Sequence, residues 1–156
     1  MFILRILILL VILISESLST EIQVFEFTED ELSTLKVRKV RGVKSKTKYA
    51  IGNNENGKFL RADANNSASG LGKKIKINLI ETPFLNITWK VEKDLPGINE
   101  ESKKGHDYAA RVFVVKKTGA TALSNRAMNY VFSSNNSIDT HHPSPFTKKS
   151  IDYVLS

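Results

Sequence analysis

Cysteine is missing from all 156 positions. Its absence removes disulfides, thiolate metal sites and cysteine-based redox chemistry, so stability must come from an apolar core and backbone pairing. The spellings of common catalytic sites are missing as well: no His-Glu-x-x-His, no Gly-x-Ser-x-Gly and no phosphate-binding loop. A cofactor is therefore not expected, and neither is an enzyme. His141-His142 with Asp139, and His106-Asp107, offer too few metal ligands at no defined spacing, and they read as solvent-exposed loop histidines. No apolar run reaches the roughly 20 residues that a spanning helix needs.

What the N-terminus does have is an ordered series. Arg5 precedes nine uninterrupted apolar residues, Ile6 to Ile14, followed by the small, polar segment from Ser15 to Thr20. Charged, apolar and small-polar regions in that order spell a secretory signal, with cleavage expected after Ser19. Residues 1–19 are thus expected to be a signal peptide and residues 20–156 a single domain, secreted and without a stable membrane anchor. Asn65, Asn86 and Asn135 each begin an Asn-x-Ser/Thr triplet, which makes them candidate glycosylation acceptors.

Beyond the signal, apolar residues recur with period two, which puts alternate side chains on opposite faces of a strand. Lys74-Ile75-Lys76-Ile77-Asn78-Leu79 is the cleanest case, with Ile75, Ile77 and Leu79 expected to face inward. Ile87 to Val91 and Ile151 to Leu155 read the same way, with Ile151, Tyr153 and Leu155 inward. Further strand-forming runs lie at Tyr49 to Ile51, Val112 to Val115 and Tyr130 to Phe132. Turn residues separate them, at Gly52 to Gly57, Asn65 to Gly70, Leu95 to Gly97 and His141 to Pro145. Thr28-Glu29-Asp30-Glu31 is a capping-box spelling for a helix of a turn or two. Many short strands between turns predict an all-β fold, a barrel or a small β-sandwich. A weak echo at an offset of 64 residues, Ile87-x-Trp89-x-Val91 against Ile151-x-Tyr153-x-Leu155, favours a pseudo-repeated barrel.

Tyr49-Ala-Ile-Gly-Asn-x-x-Asn-Gly57-Lys-Phe-Leu-Arg-Ala-Asp63, closed by Trp89-Lys-Val-Glu92, resembles one repeat of a β-trefoil. It is similar to repeats of the ricin-B-like lectins and the fascin-like trefoils, and the resemblance implies a β-trefoil-like barrel. The ricin-type sugar site uses an acidic residue directly after the first strand and Gln two places before the closing Trp. Here Arg61 and Ile87 stand at those places, and Asp63 alone could serve as the acid of a neutral-sugar site.

Charge is uneven. Lys and Arg outnumber Asp and Glu by 23 to 16, a formal net charge of +7. Lys36 to Lys48 holds seven basic residues in thirteen and no acid. If extended, it aligns Lys36, Arg38, Lys44, Lys46 and Lys48 on one face. Val37-Arg38-Lys39-Val40-Arg41-Gly42 and Gly72-Lys73-Lys74-Ile75-Lys76-Ile77 share the x-B-B-x-B-x spelling (B basic) of many heparin-binding segments. Clustered cations displace the condensed counterions of a linear polyanion together, so acidic glycans are the expected partners. Fibroblast-growth-factor-like trefoils, which the Asn-Gly-Lys-Phe-Leu stretch resembles, bind heparin with basic strands. Nucleic acid is not expected, because aromatics are not interleaved with the run. Two alternatives remain open: a neutral-sugar lectin, and a coat or effector protein with a protein partner.

Overall fold

The structure, a computed structural model, describes residues 21–40 and 42–156. The expected signal peptide and Arg41 lie outside the described residues. Two compact units divide the chain, one extending to Asn86 and the other running over Ile87–Ser156.

In the first unit, α1 spans Glu29–Thr34 and the strands are β1 (Arg38–Lys39), β2 (Lys48–Asn54), β3 (Gly57–Asp63) and β4 (Ser69–Gly70). Thr28 caps α1: its Oγ1 accepts a 3.1 Å bond from the Glu31 N–H, satisfying a donor that the helix itself cannot. Glu31 reaches back, but to the N–H groups of Glu26 (2.7 Å) and Phe27 (3.2 Å). The expected capping box thus forms with its return bonds moved upstream of Thr28. Leu32 and Leu35 join Phe25, Phe27, Ile51 and Leu60 around a small apolar crevice beside β2 and β3.

β2 and β3 form an antiparallel hairpin registered from Lys48↔Asp63 to Asn54↔Gly57. Its turn is Glu55-Asn56, tightened by a 2.9 Å bond from the Asn56 N–H to Asn54 Oδ1. Gly57 follows with φ +105°, a conformation that a side chain would strain. Gly52, expected in a turn, is a strand residue opposite Phe59, whose ring fills the space a side chain would need.

In the second unit, β5 (Ala110–Lys116), β6 (Arg126–Phe132), β7 (His141–Ser144) and β8 (Thr147–Val154) form one sheet in the order β5-β6-β8-β7. β6 and β8 are parallel and the other pairs antiparallel. Pro143, which cannot donate to a ladder, sits at a register shift on the edge strand β7. Val131 and Val154, directly paired and fully buried, form the core with Tyr108. The described residues are therefore all-β, and their three sheets are open.

Several expected strands differ. Lys74 to Leu79 and Ile87 to Val91 have the alternation but no ladder partner, so they run as irregular chain. Alternation selects faces; a strand also needs a neighbour for its backbone. In β8 the period is right and its phase inverted, since Asp152 and Val154 are buried rather than Ile151 and Tyr153. The echo is partial, because Ile151 to Val154 lies in β8 whereas Ile87 to Val91 lies in no strand. Trp89 is half-buried, donating to Ser156 Oγ at 2.8 Å and meeting Phe132 edge-on at 6.4 Å.

Candidate functional site

The basic run and the second lysine cluster belong to the same unit, and backbone pairing ties the run to residues 67–70, just ahead of that cluster. Arg38 lies opposite Gly70 and Lys39 opposite Ser69. Further along, Ser45 bridges Ser67, the Ala68 N–H donates to the Ser45 carbonyl at 3.2 Å, and the Thr47 N–H donates to Ser69 Oγ at 3.0 Å. Tyr49 Oη closes the seam by donating to the Ser69 carbonyl at 2.7 Å. Residues 38–49 are thus stitched along residues 67–70. Lys74 is four residues past Gly70, so its Cα lies within roughly 20 Å of that of Arg38 by chain reach and strand spacing.

Arg38, Lys39, Lys44, Lys46, Lys74 and Lys76 are exposed and make no ion pair among the described residues. Lys73 differs: its Nζ is 2.5 Å from Glu31 Oε1 and 5.2 Å from the centre of the Phe25 ring. The Lys73 bond is the leading reason that the Glu31 carboxyl is held below the usual range. Lys36 to Lys48 do not form one straight stripe, because β1 ends at Lys39 and a turn with Gly42 at φ +86° interrupts it. Asp63 pairs with Arg61 at 3.1 Å on an exposed surface.

Asn65 and Asn86 are exposed, whereas Asn135 Nδ2 already donates to the Leu95 carbonyl (2.9 Å) and Glu100 Oε1 (2.8 Å). A glycan on Asn135 would replace one of the two Nδ2 hydrogens and so break at least one of these bonds.

The second unit holds a polar cluster that the sequence reading passed over. Asp152 is fully buried beside Asn129, its partner across the β6–β8 ladder, whose Nδ2 donates to Oδ1 at 2.6 Å. His106 Nε2 lies 2.7 Å from Asp152 Oδ2 and His142 Nδ1 4.0 Å from it. Burial raises the Asp152 pKa, but the bonds from His106 and Asn129, with the charges of His106 and His142, outweigh it and the net shift is downward. Tyr108 stacks edge-on against His106, and burial pushes its phenol well above the ordinary range. His106 and His142 are therefore not free loop side chains: their side chains are only 8% and 13% exposed. His106 pairs with Asp152 and not with its neighbour Asp107. His106 and Asn129 thus match a buried carboxylate.

A second buried carboxylate, Glu100, accepts from Ser133 Oγ (2.5 Å), Asn135 Nδ2 (2.8 Å) and Asn136 Nδ2 (2.7 Å). It ties the segment before β5 to the end of β6. Neither cluster has a sequence signature, because the hydrogen-bond partners of each carboxylate are 23 to 46 residues from it.

A family model described as "Protein of unknown function (DUF3047)" matches residues 33–156. The chain belongs to this family. The DUF3047 match takes in every strand described above, both basic clusters and both buried carboxylates. No curated protein and no solved structure matches the chain.

Proposed function

We propose that this protein is an exported, non-catalytic binding protein that engages acidic glycans through the cations on and around β1 and β4. The observation that carries the reading is the β1–β4 pairing, which lays Arg38 and Lys39 beside Ser69 and Gly70, three residues before the second basic cluster begins at Lys73. Several unpaired cations along one seam suit a ligand with closely spaced sulfates or carboxylates, and the gain comes from releasing its counterions. Arg38 adds a planar fork for sulfate oxygens, while the lysines act as point charges. A neutral-sugar site is less well supported, because the one acid available for it, Asp63, is paired with Arg61. The β2–β3 hairpin is the piece of chain on which the trefoil resemblance rests, and the trefoil arrangement belongs to this proposal.

Heparin chromatography tests the reading. Retention above physiological salt is expected, and each of Arg38→Gln, Lys39→Gln, Lys74→Gln and Lys76→Gln is expected to lower the slope of log affinity against log salt by about one. Lys73→Gln should change it least, its charge being matched by Glu31. Elution below physiological salt, or elution unmoved by the four substitutions together, would overturn the proposal.

A further inference from the structure

Following the second basic cluster is a turn whose chemistry the glycan reading leaves unused. Leu79, Ile80 and Phe84 are 70%, 91% and 88% exposed, among the largest exposures of any apolar side chain in the described residues. They are displayed by an ordered turn built on Asn78. The Asn78 carbonyl accepts from the Glu81 N–H (3.1 Å), the Thr82 N–H (2.9 Å) and Thr82 Oγ1 (3.0 Å). Asn78 Oδ1 accepts from the Ile80 N–H at 3.1 Å, and its Nδ2 donates to Glu81 Oε1 at 2.7 Å. Pro83 has no N–H to satisfy. The N–H groups of Ile80, Glu81 and Thr82 are thus satisfied within the turn, which lowers the cost of bringing its apolar side chains out of water.

A turn that presents bulky apolar side chains to solvent gains free energy only when something apolar covers them. The neighbouring charges identify what. Lys76 is four residues before Ile80 and Lys74 six, so both lie within roughly 20 Å of the tip by chain reach. Both are exposed and unpaired among the described residues. Glu81, the one acid of the turn, has its carboxylate held by Asn78. Apolar side chains at a tip with cations behind them match an anionic bilayer surface, where the tip enters the acyl boundary and the lysines meet headgroup phosphates or carboxylates.

We infer that the Leu79–Leu85 turn is a reversible membrane-contact site that inserts Ile80 and Phe84 into anionic bilayers, steered by Lys74 and Lys76. The site goes beyond the glycan reading and shares with it only those two lysines.

The test uses the absence of cysteine, which allows a single label on the full chain. Ile80→Cys carrying an environment-sensitive fluorophore is mixed with phosphatidylcholine–phosphatidylserine vesicles and with phosphatidylcholine vesicles. A local label reads the turn irrespective of what the N-terminus does. Brighter, blue-shifted emission is expected with the anionic vesicles alone, while a label at Asn53→Cys on the β2–β3 hairpin stays unchanged. Adding Phe84→Ser should weaken the response about tenfold or more, and Lys74→Gln with Lys76→Gln should abolish it. Because Ile80 and Phe84 are exposed, serine at both is expected to leave folding and heparin retention intact, so the two readings fail separately. No change at position 80, an equal response to neutral vesicles, or capture of the turn by a protein partner in place of lipid would overturn the inference.

Discussion

A carboxylate with no exposure has to be matched by donors, and Asp152 is matched by Asn129 and His106 at 2.6 and 2.7 Å. Removing it strands both partners in the interior, where an unpaired polar group is costly. Asp152→Ala is expected to destabilise the second unit by about 2–4 kcal/mol, read by urea unfolding followed on Trp89, the single tryptophan, which lies in that unit. The depressed pKa fixes the sign of the pH dependence. Above the ordinary aspartate value of 3.8 the stabilisation is fully present, and it is lost as pH falls below that value through the lower folded-state pKa. Asp152→Asn should flatten that acid limb, and an unchanged acid limb would contradict the assignment. His142 Nε2, Asn129 Oδ1 and Tyr108 Oη are buried without a partner among the described residues, which leaves the cluster incompletely matched.

Among the elements, the β2–β3 hairpin depends on one backbone conformation. Nothing lies within 4 Å of where a Gly57 side chain would be, so its φ of +105° is the whole obstacle to substitution. Gly57→Ala is expected to cost about 1–3 kcal/mol, seen as faster hydrogen exchange across the hairpin amides with the second unit unaffected. Equal protection would show that the turn tolerates the side chain. The same hairpin was legible in part: the Asn- and Gly-rich stretch marked a turn, but over Gly52 to Gly57, whereas the ladder runs on to Asn54 and Gly57 and leaves only Glu55 and Asn56 in the turn. The Thr28 cap was legible because its partners are three to five residues away. Lys74 to Leu79 was misleading because alternation is local whereas a ladder partner is not. Ile151 to Leu155 was misleading because five residues offer two faces, and the choice between them depends on His106 and Asn129, far away in sequence. The Glu100 clamp left no local trace at all.

At the scale of the whole molecule, both units carry net positive charge, but the densest basic run, Lys36 to Lys48, lies in the first unit, and the buried carboxylates lie in the second. Lys36 to Lys48 was legible as a cationic run. Its attachment to residues 67–70 was not, because Ser45, Ser67 and Ser69 carry no pattern that announces a seam. That seam underlies the proposed function, and a spectroscopic titration tests it directly. A short sulfated heparin oligosaccharide is added to the isotope-labelled protein at low salt and the backbone amides are followed by NMR. The expected result is that amides of Arg38 and Lys39 and of Ser69 to Lys76 shift together along one saturation curve and return when salt is added. Shifts confined to β5–β8, or none in either basic segment, would contradict it.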